Sequence, residues 1–107
     1  MDLTAPWGWV NCGPQLLDIR EKLCNFERMK LGEILRRDSG SHQVELDRLC
    51  KQAQDRLIFL KEDDVPQLLS LRLGGKARVW GILDNQIIWL LWWDPLHEVC
   101  PSLKKHT

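Results

Sequence analysis

The chain carries no net charge: fifteen lysines and arginines balance fifteen acidic residues. No global field therefore draws it toward nucleic acid or an anionic membrane, and any such binding must be local. It also lacks a Cys-x-x-Cys pair, and Cys12, Cys24, Cys50 and Cys100 lie scattered with no histidine at zinc-finger spacing. That pattern argues against a structural metal centre and predicts reduced thiols that act as small hydrophobes or surface groups. No apolar run is long enough to cross a bilayer, and the opening Met-Asp-Leu-Thr-Ala-Pro-Trp-Gly-Trp has neither a basic n-region nor an apolar h-region. Both absences predict a cytoplasmic protein that does not span a membrane. A nucleophile elbow, a phosphate-cradling glycine loop and a dinucleotide fingerprint are missing too, which disfavours classical hydrolases and nucleotide-cofactor enzymes and implies no cofactor. Without repeats, low-complexity tracts or linkers, the 107 residues read as one domain, long enough to bury a core without a staple.

Tyrosine is absent, yet there are six tryptophans. From Lys76 to Glu98, two runs rich in β-branched and aromatic residues flank the polar Asp84-Asn85-Gln86, as the strands of a hairpin do. The second run, Ile87 to Trp93, is apolar throughout, so both its faces need cover and it reads as a central strand. Trp89, Trp92 and Trp93 share that run and read as core rather than as a platform for stacking bases. Near the start, Trp7 and Trp9 sit in an irregular segment punctuated by Pro6, Gly8 and Gly13, and are expected to fold back over the core as a lid or edge.

Ahead of the hairpin the periodicity is helical. Pro14 suits a first turn, and Leu16, Ile19, Leu23 and Phe26 share one face, predicting a helix over about Gln15 to Glu27. A shorter helix is expected around Met29 to Leu35. Ser41 is a fair N-cap for a helix from Gln43 to Leu60, whose stripe is Leu46, Leu49, Cys50, Ala53, Leu57 and Leu60 and whose mixed charges form a solvated face. Asp64, Pro66 and Gln67 suit the first turn of a short buried helix carrying Leu68, Leu69, Leu71 and Leu73, which Gly74-Gly75 ends. Helices followed by strands indicate an α+β fold, with N-terminal helices packed on one face of a small antiparallel sheet formed by the C-terminal third. Residues 1–75 are then mainly helical, 76–100 hold the hairpin and a following strand, and 101–107 form a tail.

Candidate chemistry gathers near the hairpin. From Val65 to Leu83 there are Arg72, Lys76 and Arg78 and no acidic residue. Alternation puts Arg78 on one strand face with Trp80 and Ile82. A guanidinium there either stacks on an indole and pairs with an acid, or holds a phosphate on a rigid element with Arg72 and Lys76 nearby. In Trp92-Trp93-Asp94-Pro95-Leu96-His97-Glu98, Asp94-Pro95 is turn chemistry whose carboxylate can bond the backbone that follows. His97 lies just past the sheet end, so it reads as a turn hydrogen-bonder or as a general acid or base. Lys104 and Lys105 in the tail either keep the terminus solvated or touch a phosphate backbone.

Arg78-Val79-Trp80-Gly81-Ile82, then Asp84-Asn85, then Ile87 to Trp93 resembles the layout of the RelE/HigB-like superfamily of small bacterial toxins. In those proteins helices precede an antiparallel sheet that has an arginine-bearing strand, a turn, and an apolar strand ending in basic or histidine residues. The likeness covers roughly residues 64–100. It implies an RNA-cleaving ribonuclease, acting on free RNA or at the ribosome and neutralised by a cognate antitoxin. It further implies that Arg78 holds the scissile phosphate, His97 is the general acid or base, and Lys76 and Arg72 are electrostatic partners. Residues 92–98 are also similar to the ending of small bacterial proteins of uncharacterised function. The competing expectation is a non-enzymatic protein–protein interaction module or phage-related regulator, whose signature is an exposed apolar patch including Trp7 and Trp9.

Overall fold

Hydrophobic residues in the second half of the chain alternate between two buried layers, and a four-stranded antiparallel sheet separates them. The structure, a computed structural model, describes residues 2–3, 6–13, 16–27, 34–35, 40–85 and 87–101. The strands are β1 (His42–Glu45), β2 (Gln67–Gly74), β3 (Ala77–Asp84) and β4 (Ile87–Asp94), in the order β1-β2-β3-β4. The helices are α1 (Leu16–Glu27) and α2 (Lys51–Phe59), with short 3-10 turns at Trp9–Asn11 and Leu46–Arg48. The fold is thus a small α+β domain, as the order of patterns predicts.

Successive strand residues face opposite ways, and the two cores divide accordingly. Leu68, Trp80 and Trp92 pack with Ala53 and Leu57 of α2, together with Trp7 and Val99. Leu69, Leu71, Val79 and Trp93 pack with Ile19 of α1, together with Trp9 and Cys12. Helices therefore cover both faces of the sheet rather than one.

One expected helix becomes a strand and another yields its start to one. The predicted helix 43–60 is helical only over Lys51–Phe59, because its start forms β1, paired with β2 from His42↔Ser70 to Glu45↔Gln67. Extended backbone at Glu45, Leu49 and Cys50 breaks the helix before residue 51. Ser41 caps nothing there; its hydroxyl accepts the backbone N–H of Arg72 at 2.9 Å. The leucine cluster at 68–73 is the middle of β2, where Leu68, Leu69, Ser70 and Leu71 are all buried. Four consecutive buried residues need partners on both faces, which a strand inside a covered sheet supplies. Gly74 and Gly75 end no helix; with φ of 140° and 53° they turn β2 into β3. The predicted helix around 29–35 lies outside the described residues except for Ile34 and Leu35.

The predicted hairpin is β3 and β4, turning at Asn85 (φ 58°) and paired from Arg78↔Asp94 to Asp84↔Ile87. Its register shifts between Trp80 and Gly81, opposite Trp92 and Leu90, which leaves Leu91 as the extra residue of a bulge. Gly81 permits the close approach, since a Cβ there would stand 2.9 Å from the Trp89 carbonyl oxygen. Leu91 and Trp92 consequently join the same core. Trp89, expected in the core, is instead 58% exposed.

β4 is the last strand of the sheet, not a central one. Its edge is covered by the N-terminal segment: Asp2 N–H and Trp9 Nε1 both donate to the Leu91 carbonyl at 3.1 Å, and Trp93 N–H donates to Trp7 O at 2.8 Å. The Asp2 carboxylate anchors this strap by accepting two bonds of 2.9 Å from Arg56 and one of 2.9 Å from Trp92 Nε1. Trp7 leans on Trp92 with ring centroids 5.4 Å apart. After β4, residues 95–101 are turn and coil, so no further strand follows there. Among the described residues, no helix is long and apolar enough to cross a membrane.

Candidate functional site

The β2–β3 hairpin brings two of the candidate residues face to face. Arg72 and Arg78 are direct cross-strand partners, and on its other side Arg78 faces Asp94. All three project from the α2 side of the sheet, at the end where Gly75 and Lys76 make the turn. Among the described residues neither arginine has an ion-pair partner. Like charges directly opposite one another on a sheet are destabilising.

Arg78 is half-buried and held in place: Nη1 donates to Gly75 O at 2.8 Å and to Ala77 O at 3.1 Å, while Nε is buried with no partner. Burial lowers its pKa, the Arg72 charge lowers it further, and Asp94 pulls it back. Arginine remains a cation under these pressures. Arg72 is exposed, and its stem crosses Gly40 so closely that a Cβ there would collide with Arg72 Cδ. Gly40 also has φ of 81°, a second reason for glycine. Lys76 is exposed on the turn itself.

Asp94 is fully buried but unavailable to Arg78 at ion-pair distance. Its oxygens accept Glu98 N–H at 2.8 Å, Val99 N–H at 3.0 Å and Trp80 Nε1 at 3.1 Å. The carboxylate thus bonds the backbone that follows, as its place before Pro95 predicts, and it folds the 95–99 loop back against the sheet end. His97 sits in that loop, half-buried and in the left-handed region at φ 60°. The structure therefore assembles Arg72, Lys76 and Arg78 at one end of the sheet, with the His97 loop hung from the neighbouring strand. Lys104 and Lys105 lie outside the described residues. Trp7 and Trp9 are buried, so the exposed patch expected around them is not there.

One neighbour escaped the sequence reading. His42, assigned to the run-up of a helix, opens β1 opposite Ser70, one row from Arg72, with Nδ1 3.4 Å from Gly40 O. The signal was the alternation of exposed Gln43, buried Val44 and exposed Glu45. Among the described residues no group of three or more His, Cys, Asp or Glu side chains could hold a metal ion. No protein-family model, curated protein or solved structure matches this chain.

Proposed function

We propose that the protein is a cytoplasmic RNA-cleaving ribonuclease of the RelE/HigB-like kind, with the Arg72–Arg78 pair as its phosphate site and His97 as its proton carrier. The observation that carries this reading is the pair of guanidinium groups opposite one another across β2 and β3, with no carboxylate paired to either among the described residues. An anion lying between them turns their repulsion into attraction, and the planar fork of a guanidinium matches two phosphate oxygens. Arg78 is already oriented by two carbonyls, so little ordering is needed when the ligand arrives. Lys76 on the turn, with Lys104 and Lys105 of the tail, extends the contact along a phosphate backbone.

Cleavage rests on the sequence resemblance together with the loop that carries His97. The 2′-hydroxyl oxygen attacks the neighbouring phosphorus and forms a new P–O bond as the P–O5′ bond breaks. His97 takes the 2′ proton and returns it to the departing 5′ oxygen, leaving a 2′,3′-cyclic phosphate. Arg78 neutralises the charge that builds on the non-bridging oxygens between those events. The partners implied are RNA, free or on the ribosome, and a cognate antitoxin that masks the arginine end.

Expression in a bacterial host tests the reading. Wild type should arrest growth and degrade RNA, and Arg78→Ala and His97→Ala should each abolish both effects while the purified variants still unfold cooperatively. Normal growth with intact RNA, and no RNA cleavage by the purified protein, would defeat the ribonuclease reading.

A further inference from the structure

Among the described residues, the N-terminal strap covers only the second half of β4. It bonds at Leu91 and Trp93, and no described residue makes a backbone hydrogen bond to the outer edge of residues 87–90. Natural sheets guard such an edge with lysine, proline or charge, but residues 85–93 carry none of these. Instead Ile87 and Trp89 are both more than half exposed.

Beside this edge opens a cavity of about 500 Å³, with Val65, Ile82 and Leu91 as apolar lining, Trp89 as a wall, and the acidic residues Glu62 and Asp84 on its boundary. Neither carboxylate has an ion-pair partner among the described residues. The cavity's β3 lining, Ile82 to Asp84, lies four to six residues from Arg78, roughly 13–20 Å away at strand rise. It is therefore separate from the proposed phosphate site and stands whether or not that site binds RNA.

We propose that this edge docks an extended, basic segment of a protein partner. The segment adds to β4 as a fifth strand and lays a lysine or arginine over the Trp89 indole between Glu62 and Asp84. Each part of the surface answers a part of such a ligand. The edge of 87–90, unpaired among the described residues, reads peptide backbone, and alternation sends every second side chain of the added strand toward the cavity. The indole face attracts a cation and the two carboxylates fix its sign. A second copy of this chain answers poorly, because residues 84–94 contain no lysine or arginine. Pairing β4 with β4 would bring no cation to the cavity.

Short synthetic peptides of alternating valine and threonine, with arginine, glutamine or glutamate at the cavity-facing positions, can be titrated into the isotope-labelled full chain. The arginine peptide should shift residues 87–90 and protect their amides from exchange. It should bind roughly three- to tenfold more tightly than the glutamine peptide, as two screened ion pairs allow, and the glutamate peptide should not bind. E62Q/D84N should erase the preference for arginine, and W89A should weaken the arginine peptide while the remaining amide spectrum keeps its wild-type pattern. The proposal is overturned if no peptide perturbs residues 87–90, or if the three peptides bind alike. It is equally overturned if free agmatine reproduces the shifts at the affinity of the arginine peptide, which would mark a small-cation site. Concentration-dependent dimerisation of the free protein through the same residues would assign the edge to a second copy and also overturn it.

Discussion

Replacing Asp94 by asparagine removes a charge while keeping the side chain's size, so it separates the carboxylate's role from packing. Asp94 is fully buried, and three N–H donors converge on its two oxygens: Trp80 Nε1, Glu98 N and Val99 N. An amide offers one oxygen and turns an NH2 toward a site built from donors, so at least one N–H loses its acceptor. A hydrogen bond to a charged group contributes about 1.5–3 kcal/mol, and members of one network do not add. The expected cost of Asp94→Asn is about 2–4 kcal/mol, and of Asp94→Ala about 3–5 kcal/mol with all three donors orphaned. Urea denaturation reads the total, and amide exchange at Glu98 and Val99 reads the loop. Both amides should lose protection before the sheet does. In the ribonuclease account, Asp94→Asn also lowers cleavage more than RNA affinity, because it loosens the His97 loop and spares Arg72. A stability change under about 0.5 kcal/mol, with Glu98 and Val99 still protected, would refute the view that this carboxylate organises the site.

Trp92→Ala should cost about 3–5 kcal/mol as a core truncation, whereas Trp89→Ala, on a side chain 58% exposed, should stay within about 0.5 kcal/mol; paired urea curves decide. Gly81→Ala should destabilise by about 1–3 kcal/mol, because its new methyl meets the Trp89 carbonyl and Ile88 Cγ2. Asp2→Ala should free the N-terminal strap and orphan Trp92 Nε1, seen as faster exchange of the Trp93 amide. Burial pushes the Cys12 and Cys100 thiols up, so the folded state holds their protons more tightly than the unfolded chain does. Their contribution to stability should be constant at neutral pH and decline as pH rises past the ordinary thiol range of about 8.5. Cys100→Ala should flatten that alkaline decline in urea midpoints.

The β3–β4 hairpin was legible because two signals agree there: strand-forming runs on either side, and Asp84-Asn85 at the turn, where Asn85 is left-handed. Asp94 was legible for a similar reason, since its bonds to Glu98 and Val99 are local in sequence. β1 and β2 were not. Leu46, Leu49, Cys50, Ala53 and Leu57 fall at helical spacing, although Leu46 opens a 3-10 turn, Leu49 follows it, and only the last two lie on α2. β2 is built from leucine, which carries no β-branched signature, and its strand state comes from burial on both faces. The bulge that sends Trp89 outward depends on Gly81 in another strand, beyond what periodicity can register. Losing β2 also hid the main feature of the site. Arg72 and Arg78 flank Gly74-Gly75 as hairpin partners, but their opposition exists only once β2 and β3 are paired.

The most direct test of the phosphate site is the salt dependence of RNA affinity, measured by fluorescence anisotropy with a labelled single-stranded oligonucleotide. With Lys104 and Lys105 replaced by alanine, so that Arg72, Lys76 and Arg78 are the phosphate contacts, log K should fall against log salt with a slope of about −2, at about −0.7 per contact. Replacing both arginines with alanine in that background should reduce the slope to about −0.7 and leave the urea midpoint equal to or above that of wild type, since the repulsion between them is gone. A flat salt dependence for wild type, or a slope unchanged by R72A/R78A, would contradict the account.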